Sequence, residues 1–291
     1  MAAASSHARL IHKKRVVFIL GATATGKSKL AVSLAVHFAG EVINSDKMQV
    51  YRGLDVITNK ITGEECAGVR HHLLGFVHPD AEYSAGDFRN DAVRAVDDVL
   101  ARGRLPIIAG GSNSYVRELV AGRYDCCFIW IDVDPPELDG VVGERVEKMV
   151  ERGMVEEARG VFDAAMADYS KGIWRAIGLP ELDRYLRWAA AAGGEENGEK
   201  LLAEAMEEIR ENTRKLARVQ REKIVRLMKE DGWPLFRVDA TPAVRRLGEA
   251  ARERVWEETV VKPSVRMVEC FVGEDGEASV VCRQSPCIGI L

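Results

Sequence analysis

An α/β fold, a P-loop-type doubly wound parallel sheet with a smaller helical subdomain, is what this sequence predicts, and three observations predict it. Four short runs are apolar on both faces: "RVVFIL" (15–20), "GEVINS" (40–45), "LPIIAG" (105–110) and "CCFIWIDV" (126–133). Amphipathic stretches at 27–39 and 86–102 separate them. Strands buried on both sides and alternating with helices belong to a parallel sheet covered on each face. Third, the first run leads directly into "GATATGKS", Gly21 to Ser28, which fits the phosphate-loop pattern G-x-x-x-x-G-K-[ST] in the strand–loop–helix setting it requires.

The later elements follow in order. "DPPELDGVVGERVEKMVERGMVEEARGVFDAAM" reads as almost continuous helix, with a proline pair at its start. "AAAAGGEENGEK" (189–200) reads as a loop, and a long charged helix is expected from about 200 to 230. "PLFRVDA" (234–240) suits a returning strand, and "TPAVRRLGEAARERVWEET" a final helix. These boundaries give an α/β core over 1–134, completed by 231–262. A mostly helical subdomain occupies 135–230 and a loosely attached C-terminal tail 263–291. Between "VAG" (120–122) and "RYDCC" (123–127) a longer loop is expected than the chain has.

Composition narrows the function. The 291 residues, 47% hydrophobic and 30% charged, can bury one substantial core plus a satellite. No apolar run approaches the roughly 20 residues that span a bilayer, so no membrane partner is expected. A net charge of −4 and a pI near 6.0 disfavour a polynucleotide partner. The six cysteines include no C-x-x-C pair and no zinc spacing, which reads as reduced, intracellular packing cysteines. The first 40 residues lack Asp and Glu, and "MAAASSHARLIHKKR" suits a transit segment or a short leader; a plastid or cytoplasmic location is expected.

The loop carries specific chemistry. Backbone N–H groups of Gly21, Ala22, Thr23, Ala24, Thr25 and Gly26 can form a nest for phosphate oxygens, with the positive end of the next helix behind it. Lys27 would neutralise phosphate charge, and Ser28 offers an oxygen to Mg²⁺. Asp46, Asp132 and Asp134 stand at strand ends where ligands of open α/β sheets bind, and any of them could be a metal ligand or a helix cap. The loop alone leaves a kinase or NTPase open.

Further motifs stand in one collinear series over roughly 15–230. They are "GEVINSDKMQVYRGLDVITNKIT" (40–62), "HHLLGFVHPDAEYSAGDF" (71–88), "PIIAGGSNSYVRELV" (106–120), "GMVEEAR", "WRAIGLPELDRYL" and "ENTRKLARVQREKI". With the phosphate loop, this series resembles the isopentenyltransferase family, which includes tRNA dimethylallyltransferases and adenylate isopentenyltransferases. The resemblance implies transfer of the dimethylallyl group of dimethylallyl diphosphate to the N6 amine of adenine, with diphosphate leaving. It implies that the loop grips the donor's diphosphate and that Asp46, in "INSD", is the general base. An exocyclic adenine amine, its lone pair drawn into the ring, needs such a base.

By the same resemblance Ser112, in "GGSNS", lies near the leaving oxygen, and Thr58 and Lys60 are further contacts. Gln49 and Tyr51 are pocket architecture. On the long helix Arg214, Arg218 and Arg221 share one face, with Ile209, Leu216 and Leu227 roughly opposite. The resemblance puts basic residues of this region, Arg218 and Arg214 among them, at phosphates, and Arg175 in "WRAIG" is another such candidate. Where tRNA members carry a further arginine this chain has Val219, and it shows no zinc-finger spacing. A free adenine nucleotide, ATP or ADP before AMP, is therefore the expected acceptor, with tRNA the alternative and a P-loop kinase a more distant one. Lys171, Lys215 and Lys223 are candidates for the acceptor's phosphates. A monomer is expected.

Overall fold

The computed structural model describes residues 14–120, 124–165, 168–191 and 195–273. Residues 1–13, expected to be a transit segment or short leader, and 274–291 lie outside the described residues, as do 121–123, where a longer loop is expected.

Six strands form one sheet in the order β3-β2-β4-β1-β5-β6. They are β1 (Arg15–Gly21), β2 (Glu41–Asn44), β3 (His71–His72), β4 (Pro106–Ala109), β5 (Asp125–Asp132) and β6 (Leu235–Asp239). Every pairing is parallel, with Phe18 opposite Ile108 on one side and Phe128 on the other. The helices are α1 (Lys27–His37), α2 (Ala85–Ala101), α3 (Asn113–Val120), α4 (Pro135–Glu151) and α5 (Met154–Val161). Then come α6 (Leu179–Ala190), α7 (Glu195–Lys229), α8 (Thr241–Val244), α9 (Glu249–Trp256) and α10 (Lys262–Val272). None among the described residues is long and apolar enough to cross a membrane.

Strand residues divide by parity between two cores, as a period of two dictates. Phe18, Leu20, Ile43, Ile108 and Phe128 face α2, α3 and the helices α5 to α7. Val17, Ile19, Val42, Ile107 and Ile129 face α1, with Val142 of α4 and the C-terminal Val260 and Val268. Residues 135–230 therefore add helices to the same two cores.

Two expectations need correction. The C-terminal segment is no loose tail through 272: Val261, Val265, Val268 and Val272 recur at helical spacing, and α10 packs this stripe beside α1. The buried face of α7 is also rotated from the expected one. Ile209, Ala217, Ile224 and Leu227 are buried with Thr213 and Gln220, whereas Leu216 is 40% exposed. Strand β3 has no signature in sequence, since two histidines at a sheet edge carry no apolar alternation.

Edge strand β3 is tied by charge. The Glu41 carboxylate accepts from Arg102 Nε and Nη2 at 3.1 and 2.7 Å, and lies 2.6 Å from His72 Nε2. The Arg102 hydrogen bond, helped by His72, holds the buried Glu41 carboxyl down at about 2. A depressed carboxylate stabilises the fold above its ordinary range and loses that contribution as pH falls through about 4.5 towards 2. Glu41→Gln is therefore expected to cost roughly 1.5–3 kcal/mol in urea unfolding at pH 7. The difference from the unsubstituted protein should shrink below pH 4.5; a constant difference would assign the loss to packing.

Candidate active site

The carboxyl ends of β1, β2, β4 and β5 open on one edge of the sheet, where ligands of doubly wound folds bind. A cavity of about 460 Å³ lies there, lined by the phosphate loop, the β2 and β4 ends and one face of α4.

The loop follows β1 and leads into α1. Ala24 and Gly26 are left-handed, φ 66° and 88°, so the chain curls and turns successive N–H groups toward one side. Thr25 Oγ1 donates to the Ala22 carbonyl at 2.9 Å, closing the turn. Lys27 Nζ folds over the loop and donates to the same carbonyl at 2.6 Å. Burial lowers the Lys27 ammonium to about 8, with nearby Arg145 adding to the effect and the Asp46 carboxylate opposing it. These three charged groups thus share one electrostatic environment. Arg145 Nη1 donates to Thr23 Oγ1 at 2.5 Å, which fixes a second cation at the loop.

The Thr23 N–H differs from its expected role as a phosphate donor, since it donates to Gln220 Oε1 at 2.7 Å. Gln220 Nε2 in turn donates to the Gly111 carbonyl at 3.2 Å, so one α7 side chain joins the loop to the Gly-Gly turn after β4. That turn demands glycine. A Cβ on Gly110 would sit 2.2 Å from the Ser45 carbonyl carbon, and one on Gly111 would sit 2.3 Å from Gln220 Nε2.

Asp46 follows β2 and is held on both sides. Its N–H donates to Asn44 Oδ1 at 3.0 Å, and its Oδ1 accepts from the Met48 N–H at 2.9 Å. No hydrogen bond of the described residues uses Oδ2, and Asp46 lines the cavity with Lys27 and Ser28. Ser112 does not line the cavity: its Oγ accepts from the Lys47 N–H at 2.9 Å, so it anchors the Asp46 loop.

The other acidic candidates are committed elsewhere. Asp132, 2% exposed at the end of β5, accepts from Arg221 Nε and Nη2 and from Arg237 Nε at 2.8 to 3.0 Å. Asp134 precedes α4 and its carboxylate faces Arg245. Among the described residues no three His, Cys, Asp or Glu side chains gather as a metal cage. The donors present, the Ser28 hydroxyl and the Asp46 carboxylate on one cavity, suit Mg²⁺, which takes few protein ligands and completes its shell with phosphates and water.

Several expected contacts lie outside the cavity lining. Lys60 Nζ spends its protons on the Gly53 carbonyl at 2.5 Å, Asp55 Oδ1 at 2.9 Å and Thr58 Oγ1 at 3.1 Å. Thr58 itself donates to the Leu54 carbonyl, so both residues brace the 53–60 loop, which presents Asn59 to the cavity. Arg175 donates to the Gly172 carbonyl and reaches the Tyr51 hydroxyl at 3.4 Å. Arg214 pairs with Glu207 and Glu211, and Arg218 with Asp139. Lys171 and Lys215 pair within their own turns, and Lys223 does not line the cavity. On α7 it is the buried side, through Gln220, that meets the phosphate loop and the turn after β4, so Arg214 and Arg218 on the other side pair with carboxylates instead.

Of the six lysines and arginines that line the cavity, Lys27 and Lys29 come from the loop and α1, and three come from α4 and its C-terminal cap. Arg145, Lys148 and Arg152 recur at i, i+3 and i+7, one helix face. That spacing is visible in "ERVEKMVER". Arg252 of α9 joins them through its ion pair with Glu144.

A family model described as IPP transferase matches residues 49–124 and 121–224. The two segments meet where a longer loop is expected. Adenylate isopentenyltransferase 5, chloroplastic, of Arabidopsis thaliana is 52% identical over 89% of this chain and 81% of its own length. An adenylate isopentenyltransferase of Humulus lupulus is 40% identical, covering 88% and 90%. Among solved structures, a eukaryotic dimethylallyltransferase acting on tRNA superimposes with a TM-score of 0.75 at 22% identity, over 89% of this chain and 79% of that one. The tRNA isopentenylpyrophosphate transferase of Bacillus halodurans gives 0.69 at 24% identity, over 93% and 100%. These two share the fold.

Proposed function

Because the chain belongs to the IPP transferase family, we propose that it is an adenylate isopentenyltransferase. It transfers the dimethylallyl group of dimethylallyl diphosphate to the N6 amine of a free adenine nucleotide, releases diphosphate, and so begins cytokinin biosynthesis. One observation carries the reading. Asp46 and Lys27 face one cavity, whereas Asp132, where an ATP-cleaving P-loop enzyme would hold its metal, is neutralised by Arg221 and Arg237.

The residues divide the work. The loop N–H groups, Lys27 and Arg145 hold the donor's diphosphate and neutralise the charge that grows on it as the C–O bond breaks. Val42, Ile61 and Leu74 give the same cavity an apolar wall for the prenyl group. Asp46 Oδ2 accepts a hydrogen bond from the adenine N6 amine and takes its proton as the C–N bond forms, while the Met48 N–H keeps the carboxylate oriented. Ser28 would hold Mg²⁺ together with the donor's phosphate oxygens, and the ion, when bound, supplies further charge neutralisation there. A monomer located in the plastid or cytoplasm completes the reading; several relatives bear the word chloroplastic in their names.

The acceptor is ATP or ADP before AMP. Lys27 and Arg145 suffice for the donor, and Lys148 and Arg152 continue the same face of α4 along the cavity. Neither Lys148 nor Arg152 makes an ion pair among the described residues, Arg152 having only a 3.5 Å hydrogen bond to Asn59 Oδ1, so both can turn to an acceptor's distal phosphates. Replacing both by alanine is expected to raise KM for ATP roughly tenfold, about 1.4 kcal/mol, and to leave KM for AMP within about threefold. An equal rise for both nucleotides would remove the two residues from this role.

The donor site should also respond to pH. Lys27 loses its proton near 8 in the free enzyme, and a bound diphosphate favours the ammonium. Donor affinity should therefore hold below pH 8 and weaken about tenfold between pH 7 and 9, measured as KM for dimethylallyl diphosphate. The reading as a whole is tested by incubating the protein with Mg²⁺, the donor and, separately, ATP, ADP, AMP and tRNA, with products identified by mass spectrometry. Prenylated nucleotide is expected; prenylated tRNA alone would assign the tRNA reaction, and no prenylated adenine would overturn the proposal.

A further inference from the structure

The phosphate loop is backed from outside by the C-terminal helices. A Cβ on Gly26 would fall 2.4 Å from Trp256 Cη2, 3.0 Å from Cζ3 and 3.2 Å from Cζ2. The benzene edge of the indole therefore abuts the left-handed glycine that precedes Lys27 and Ser28. Trp256 is 8% exposed, and its Nε1 is buried with no hydrogen-bond partner among the described residues. An indole kept at the cost of an unsatisfied donor is kept for its flat apolar edge.

Neighbouring contacts hold that edge in place. Lys29 Nζ lies 5.0 Å from the Trp256 ring centroid and pairs with Glu253, one turn earlier in α9. Arg252 pairs with Glu144, beside Arg145 on α4. After Trp256 the chain enters a π-helical turn, Glu257–Val261, which buries Val260 and Val261 against the sheet core. A side chain more than two hundred residues downstream thus leaves Gly26 little room to change conformation.

The structure assigns Trp256 as a positioning residue for the diphosphate site, resting on the reading that the loop holds the donor's diphosphate. Its indole fixes Gly26 in the left-handed conformation, and that conformation aims the Lys27 and Ser28 N–H groups and the Lys27 side chain into the cavity. The residue touches neither substrate; it acts through the loop. Two consequences separate this role from general stabilisation. The effect of substitution should fall on the donor and spare the acceptor, and phenylalanine, which supplies an aromatic edge without the orphaned N–H, should restore it.

The test compares the full-length protein with Trp256→Ala and Trp256→Phe. Trp256→Ala should raise KM for the prenyl diphosphate at least tenfold, with kcat within about threefold and KM for the nucleotide within about twofold. Trp256→Phe should return the donor KM to within about threefold. Inorganic diphosphate with Mg²⁺, titrated into the unsubstituted protein, should change an indole emission that Trp256→Phe lacks, an arm that holds even where the alanine variant fails to fold. A donor KM unchanged in Trp256→Ala, parallel losses for both substrates, or an emission change retained in Trp256→Phe would overturn the assignment. If inorganic diphosphate does not compete with the donor in the unsubstituted protein, the loop's assignment to the donor falls instead, and this inference with it.

Discussion

Asp46→Asn is expected to lower kcat by about 10²–10⁴, the usual cost of removing a general base, while both substrates remain bound. The substitution is close to isosteric. Asparagine keeps an oxygen for the Met48 N–H, and the bond from the Asp46 N–H to Asn44 is a backbone contribution that survives. What is lost is the basicity of the second carboxylate oxygen, which no hydrogen bond of the described residues uses. Steady-state kinetics with equilibrium binding of each substrate separates the two effects. A fall in kcat below tenfold would retire Asp46 as the base, and a loss of binding would make it a ligand contact.

Lys27→Ala is the second large effect, about 10²–10³ in kcat/KM for the donor, the range observed when one stabiliser of developing negative charge is removed. Lys27 is the half-buried cation of the loop, and its lowered proton affinity marks how little water shares its charge. Arg145 remains at Thr23 and preserves part of the site. The weakening of donor affinity above pH 8 should vanish in this variant, because its titrating group is gone. If the nucleotide KM rises and the donor KM does not, the loop holds the nucleotide.

Strands β1, β2, β4 and β5 were legible in sequence because strands buried on both faces must be apolar throughout. The phosphate loop was legible because its geometry needs fixed residues at fixed spacing. Asp46 could be placed because it stands just past a strand whose end is visible. The cations were harder to place. In "ERVEKMVER" the charges of α4 look like a solvated face, and only its packing across the loop turns Arg145, Lys148 and Arg152 toward the cavity. On α7 the arginine face carries the visible charge, whereas Gln220, nearly opposite Arg218 on the apolar side, is the residue that meets the loop. Ser112, Thr58 and Lys60 stand close in sequence to the site, yet their polar atoms are spent on the backbone of neighbouring loops. Trp256 carried no sequence signal at all, because nothing local to "ERVWEET" indicates the glycine it covers.

On the function proposed above, the loop serves a leaving diphosphate and does not cleave ATP. Supplying dimethylallyl diphosphate labelled in its phosphates together with ATP labelled at the γ-phosphate tests it most directly. Labelled diphosphate should leave the donor in equal amount to prenylated ATP, which keeps its γ-label. Release of γ-labelled phosphate, or label transferred from ATP to another molecule, would contradict it.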